Sequence, residues 1–86
     1  MRIKYTRNAV KVVDSLDKSL RGRIKDAIEG LNEEPPRGDI KQLQNVESPV
    51  YRLRIGKYRI IFEYKVINNE KIILIKDIGS RGDIYK

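Results

Sequence analysis

Three arginines fall within eight residues in the stretch Tyr51-Arg52-Leu53-Arg54-Ile55-Gly56-Lys57-Tyr58-Arg59-Ile60-Ile61-Phe62. A guanidinium presents planar, paired donors that match phosphate oxygens, so a cluster of them suits anion binding and the stabilisation of phosphoryl charge. Whether they cluster depends on register. In a strand, alternation sends Tyr51, Leu53 and Ile55 to one face and Arg52 and Arg54 to the other. Gly56-Lys57 has the Gly-X form of a two-residue hairpin turn, with positive φ at its first position. Ile55 then pairs with Tyr58, Arg54 sits across from Arg59, Leu53 meets Ile60 and Tyr51 meets Phe62. Arg52 lies diagonally from Arg59 on the same side, and Lys57 adds a cation at the turn. Like charges directly opposite one another in a sheet cost on the order of a few tenths of a kcal/mol, so folding alone gives no reason to place them there. Two readings remain: a solvated face whose charges discourage edge pairing, or a site for an anion the size of a phosphate.

The C-terminal stretch Asp77-Ile78-Gly79-Ser80-Arg81-Gly82-Asp83-Ile84-Tyr85-Lys86 favours the second reading. It leaves the last strand through two glycines, which permit close approach of backbone to a ligand, and it presents Arg81 and Tyr85. An aromatic plane beside basic residues is the combination by which single-stranded bases are stacked and their backbone neutralised. The bland alternative has Tyr85 packing as an end anchor and Arg81 pairing with Asp83.

Absent residue types narrow the chemistry. The chain has neither cysteine nor histidine, so thiolate or imidazole metal ligation and imidazole acid–base catalysis are excluded; no metal and no cofactor are expected. The net charge of +7 with a pI near 9.8 points to an anionic partner, nucleic acid or an acidic protein. The charge is uneven, with nine Lys or Arg against four Asp or Glu in residues 51–86. No apolar run approaches the roughly 20 residues of a membrane span, and no signal-peptide pattern follows Met1. A cytoplasmic protein with no membrane partner is expected.

The elements that must position these residues follow from periodicity. Arg2-Ile3-Lys4-Tyr5 alternates as a short strand. Thr6 or Asn8 caps a helix carrying Ala9, Val12, Val13 and Leu16 on one face, and Asp17 caps a second with the stripe Leu20, Ile24, Ala27, Ile28 and Leu31. Arg21, Arg23, Lys25, Asp26 and Glu29 are left facing water. Pro35-Pro36 ends the helical hairpin. Ile40–Leu43 reads as a weak strand, Val50–Ile55 and Tyr58–Val66 as strong ones, and Asn68-Asn69 as a second hairpin turn returning through Lys71 to Ile78. The resulting fold class is α+β, in the order β-α-α-β-β-β, a mainly antiparallel twisted sheet with a two-helix hairpin packed on one face.

Taken together, the opening strand, the helical hairpin ending in proline, the Tyr-Arg-x-Arg-x-Gly-x-Tyr-Arg hairpin and the closing Gly-Ser-Arg-Gly-Asp-Ile-Tyr resemble the RelE/ParE toxin superfamily, the RelE branch more closely than the ParE branch. The resemblance spans nearly the whole chain and implies a single RelE-like domain over residues 1–86. It also implies a toxin of a type II toxin–antitoxin system that cleaves mRNA, without a metal, in the ribosomal A site and so arrests translation. In RelE-type ribonucleases the places matching Arg52, Arg54, Arg59 and Arg81 line the active site, and an aromatic matching Tyr85 stacks or orients a base. The implied partners are a small acidic antitoxin and ribosome-bound mRNA, with operator DNA reached only through the antitoxin.

Under that resemblance the ribose 2′-hydroxyl attacks the adjacent phosphate, leaving a cyclic phosphate and a 5′-hydroxyl. Arg54, Arg59 and Arg81 stabilise the phosphorane, Arg52 and Lys57 bind the substrate backbone, and Tyr85 stacks a base or donates to the leaving oxygen. The chain departs from the family at Ser80, where many relatives carry histidine, and at Arg52 and Arg54, where some carry lysine. Arginine stays protonated, so the general base falls to Lys57, Glu63, Asp83, a ribosomal group or substrate orientation. Two other function classes share the fold or the charge: a ParE-like inhibitor of DNA gyrase acting by protein contact without catalysis, and a non-catalytic nucleic-acid-binding module.

Overall fold

The computed structural model describes residues 1–43 and 49–80. Strand β1 (Arg2–Tyr5) leads into helices α1 (Arg7–Ser15) and α2 (Lys18–Glu29), a short 3-10 turn (Gly30–Asn32), and then β2 (Asp39–Leu43), β3 (Val50–Ile55), β4 (Tyr58–Ile67) and β5 (Glu70–Ser80). The strands form one sheet in the order β1-β5-β4-β3-β2. The class is α+β as expected. Ile40–Leu43, weakest in pattern, is a full strand, so five strands rather than four follow from the sequence order. Strands β2 to β5 pair antiparallel, whereas β1 lies parallel to β5 at the far edge. The helical hairpin carries the chain from the β1 edge to the β2 edge, and the connection between the parallel neighbours β1 and β5 runs through both helices and strands β2 to β4. None of the described helices is long and apolar enough to cross a membrane.

Both helix starts are capped as the sequence predicts. Thr6 Oγ1 accepts from the Ala9 amide at 3.2 Å and Asp17 Oδ1 from the Leu20 amide at 2.9 Å, each satisfying an otherwise orphaned donor. The β-branched Val12-Val13 pair gives α1 little intrinsic propensity, and its docking supplies the rest. The Thr6 hydroxyl donates to the Lys76 carbonyl (2.8 Å), the Thr6 amide donates to the Ile75 carbonyl (2.9 Å), and Asn8 Nδ2 donates to Asp77 Oδ1. These bonds converge where β5 carries one extra residue, since Ile61 pairs with Asp77 but Phe62 with Ile75. Such a bulge re-aims the strand, and here α1 is tied to it. Arg21, expected to face water, is instead half-buried and donates from Nη2 to the Leu16 carbonyl at 3.0 Å, closing the end of α1.

The core lies between the helices and one face of the sheet. Ile24 and Ile28 of α2 and Ala9 of α1 meet Leu53, Ile60, Phe62, Ile73 and Ile75, all essentially fully buried. Tyr51 stacks on Phe62 with ring centroids 5.5 Å apart, and Tyr64 meets both edge-on, an arrangement worth about 0.5–1.5 kcal/mol per pair beyond area burial. Among the described residues, no helix covers the opposite face. Ile72 is nonetheless 1% exposed there, with Arg2 and Lys65 as its cross-strand neighbours; long basic side chains in such places can cover apolar atoms with their stems while their charges reach solvent. One face is therefore committed to the core, and the other is available for charge.

Strand β2 enters the sheet through Gly38, whose φ is +121° and whose missing Cβ would stand 2.6 Å from Leu53 Cδ1. Gly38→Ala is expected to cost about 1–3 kcal/mol through strain and that clash, measured by urea denaturation; stability equal to the parent would show that β2 can dock by another path.

Candidate phosphate-binding face

The β3–β4 hairpin turns at Gly56, which has φ +58°, and pairs Ile55 with Tyr58, Arg54 with Arg59, Leu53 with Ile60 and Tyr51 with Phe62. This is the register deduced from the turn type. Beyond it, β4 and β5 turn through Asn68 (φ 52°) and Asn69 (φ 65°), residues that tolerate the left-handed region. Two rows of side chains consequently cross the open face. One runs Asp39, Arg54, Arg59, Gly79; the next runs Lys41, Arg52, Ile61, Asp77.

Arg52, Arg54 and Arg59 line one open depression of about 500 Å³ together with Lys41 and Leu43. Arg52 forms its floor, with a side chain only 11% exposed, while Arg54 is 53% exposed. Asp39 holds both: Oδ2 accepts from Arg54 Nε at 2.9 Å and lies 2.8 Å from Nη2, and Oδ1 lies 3.5 Å from Arg52 Nη2. This single carboxylate relieves the repulsion and fixes two guanidinium planes. Among the described residues, Lys41, Arg52, Arg54 and Arg59 bring four cations to the lining, with Asp39 beside them. Asp39 is itself half-exposed, so an arriving phosphate can compete with it in solvent, where such pairs are worth roughly 0–1 kcal/mol.

Gly79 stands directly opposite Arg59 in β5. It belongs to the strand rather than to the segment that leaves it, and the absence of a side chain there keeps the face beside Arg59 low and approachable. Strand β5 ends at Ser80, paired with Tyr58. Arg81, Tyr85 and Asp83 lie outside the described residues. Lys57 lines a separate cleft on the helix side of the hairpin, with Asp17, Ser19, Arg23 and Tyr58. Glu63 is nearly buried and 3.0 Å from Lys76 Nζ, and it does not line the depression. Burial pushes the hydroxyls of Tyr5 and Tyr64 above the usual tyrosine range, with Glu29 adding to it at Tyr5 and Tyr51 and Glu34 at Tyr64; both belong to other parts of the molecule. No group of three or more acidic side chains placed to hold a metal ion occurs among the described residues.

Asp39 and Lys41 are the residues that sequence reasoning missed. Alternation within Asp39–Leu43 does put both on one face, but the pairing of β2 with β3 is set through the intervening residues 44–49, which carry no turn signature that fixes register.

The family model described as "ParE toxin of type II toxin-antitoxin system, parDE" matches residues 3–85. A Methanocaldococcus jannaschii protein provisionally named toxin RelE1 is 33% identical over 98% of this chain and 93% of its own length. Among solved structures, the archaeal RelE–RelB complex from Pyrococcus horikoshii OT3 superposes with a TM-score of 0.71 at 33% identity, covering 94% of each chain. The RelB–RelE antitoxin–toxin complex from Methanococcus jannaschii gives 0.68 at 28% identity, covering 95% of this chain and 94% of that one.

If the depression is where anions bind, Arg54→Ala and Arg59→Ala each weaken binding of a short single-stranded oligonucleotide and lower the slope of log affinity on log salt by about one. Fluorescence titrations across a salt series measure this, and slopes equal to the parent's would locate anion binding elsewhere.

Proposed function

From the premise that this chain is a toxin of the RelE/ParE superfamily of type II toxin–antitoxin systems, we propose that it is an endoribonuclease cleaving mRNA in the ribosomal A site. The observation that carries the reading is the Arg54–Arg59 cross-strand pair with Arg52 beneath it, gathered in one open depression. A sheet that sets guanidinium groups face to face across two strands gathers donors suited to an anionic ligand.

In this reading the scissile phosphate sits over the depression. Arg54 and Arg59 donate to its non-bridging oxygens and gain strength as charge develops in the phosphorane, which is what makes such donors catalytic rather than merely adhesive. Arg52, on the floor and held by Asp39, positions the phosphate. Arg81 joins Arg54 and Arg59 in stabilising the phosphorane, and Tyr85 stacks a base. In-line orientation of the 2′-hydroxyl supplies a further share of the rate. Glu63 and Lys57, both considered as bases from the sequence, stand outside the depression, so abstraction of the 2′-hydroxyl proton falls to water, to Asp83 or to the ribosome.

A cognate antitoxin is the natural ligand for the same face when the toxin is silent. The solved archaeal relatives are complexes with RelB, and a cationic depression suits an acidic segment that orders on binding. Operator DNA is then reached through the antitoxin, in the cytoplasm.

One observation favours a second reading: the family model that spans the chain is that of ParE. A ParE-like toxin would use this face to contact gyrase without chemistry.

Induction separates the two, with translation arrest expected rather than a DNA-damage response. In a purified ribosome assay, Arg59→Ala and Arg81→Ala are expected to slow mRNA cleavage about 100–1000-fold each. Cleavage at the parent's rate by both variants, or intact mRNA with poisoned gyrase, would sink the ribonuclease reading.

A further inference from the structure

The proposed cleavage needs two proton transfers, one from the attacking 2′-hydroxyl and one to the departing 5′-oxygen. The second matters most energetically, because an alkoxide is a poor leaving group unless it is protonated as the bond to phosphorus breaks. Guanidinium side chains hold phosphoryl charge well but do not release protons, and three of the four cations lining the depression are arginines. The fourth is Lys41. An alkylammonium is a stronger acid than a guanidinium by about two to three pH units, so among the described residues lining this depression the side chain best able to give up a proton is on β2.

Three observations set Lys41 apart. It stands directly across from Arg52 in the β2–β3 pairing, on the open face. Asp39, two residues earlier on the same strand, spends its carboxylate on Arg54 and Arg52. Among the described residues no ion pair or hydrogen bond holds the exposed Lys41 side chain, which leaves its ammonium free to reach a phosphodiester seated over the guanidinium floor. Placing an unpaired ammonium opposite a nearly buried guanidinium weakens the sheet, and no contact within the described fold offsets it.

Resting on the ribonuclease reading, we propose that Lys41 is the general acid of the cleavage. As the 2′-oxygen forms its bond to phosphorus, the phosphorus–5′-oxygen bond breaks and a proton passes from Lys41 Nζ to the 5′-oxygen. The 2′-hydroxyl proton leaves to water, and the resulting neutral amine is reprotonated by solvent. The products are a 2′,3′-cyclic phosphate and a free 5′-hydroxyl. Tyr85 is then released from any duty at the leaving group and keeps its stacking role.

The test uses ribosomes programmed with two mRNAs, identical except that one carries a 5′-bridging phosphorothiolate at the scissile linkage. A thiolate departs without a proton. Lys41→Ala is expected to cleave the all-oxygen mRNA at least 100-fold more slowly than the parent, yet the phosphorothiolate within a few-fold of it. Lys41→Arg, which keeps the charge, is expected to behave like Lys41→Ala. Equal slowing of Lys41→Ala on both substrates would overturn the assignment, as would recovery of all-oxygen cleavage by Lys41→Arg; either makes Lys41 an electrostatic contact. All-oxygen cleavage by Lys41→Ala at the parent's rate would remove it from the reaction altogether. A parent protein that cleaves neither mRNA overturns the ribonuclease reading and this one with it, which distinguishes the two failures.

Discussion

The register of the β3–β4 hairpin is the constraint on which the rest of the structure depends. Because side chains alternate along a strand, a slip of one residue would carry Leu53, Ile60 and Phe62 to solvent and drive Arg52, Arg54 and Arg59 into the core. Two features forbid it. Gly56 closes the chain in two residues at φ +58°, leaving no slack in the turn. Tyr51 stacked on Phe62 adds an aromatic pair that forms only when Ile55 meets Tyr58. The same choice that buries the apolar face thereby forces Arg54 against Arg59. Repulsion on the open face is not an accident beside the fold; it is the other side of the core.

That coupling explains why the helices occupy only one face. Ile24 and Ile28 of α2 cover Leu53, Ile60 and Phe62, and α1 is held to β5 at the bulge by Thr6 and Asn8. With the core complete on this side, the opposite face needs no apolar cover. Where it does bury apolar atoms, as at Ile72, the cross-strand neighbours are the long basic side chains of Arg2 and Lys65. Strand β2 is the element through which the open face is tuned. It contributes Asp39, which orients Arg54 and Arg52, and Lys41, which no described residue restrains. Both depend on the narrow passage at Gly38.

Much of this was legible in the sequence, and the limits are instructive. Caps at Thr6 and Asp17, the helical stripe and both hairpin turns rest on interactions local in the chain, and each is found where local chemistry places it. The arginine pairing was legible for the same reason, since a two-residue turn converts sequence spacing into register. What lay hidden was non-local. The parallel docking of β1 on β5, which sends the chain edge to edge, has no local signal. The contribution of Asp39 and Lys41 depends on a β2–β3 register that residues 44–49 do not encode through a short turn. Gly79 read as an exit from the strand because glycine is a weak strand former, but pairing opposite Arg59 overrides that preference. Arg21 was assigned to water by helical periodicity, yet its length lets it fold back onto the Leu16 carbonyl.

Charge crowding also makes folding and binding one problem. Like charges directly opposite in a sheet, as at Lys41–Arg52 and Arg54–Arg59, work against stability, and a small domain has only about 5–15 kcal/mol in all. An anion that binds the folded depression and not the unfolded chain returns that stability in proportion to its affinity and concentration. A polyanionic backbone and an acidic peptide segment satisfy the same requirement through the same guanidinium groups. They cannot occupy it together. Under the proposed reading, substrate and antitoxin compete for this one depression, so their mutual exclusion needs no conformational switch.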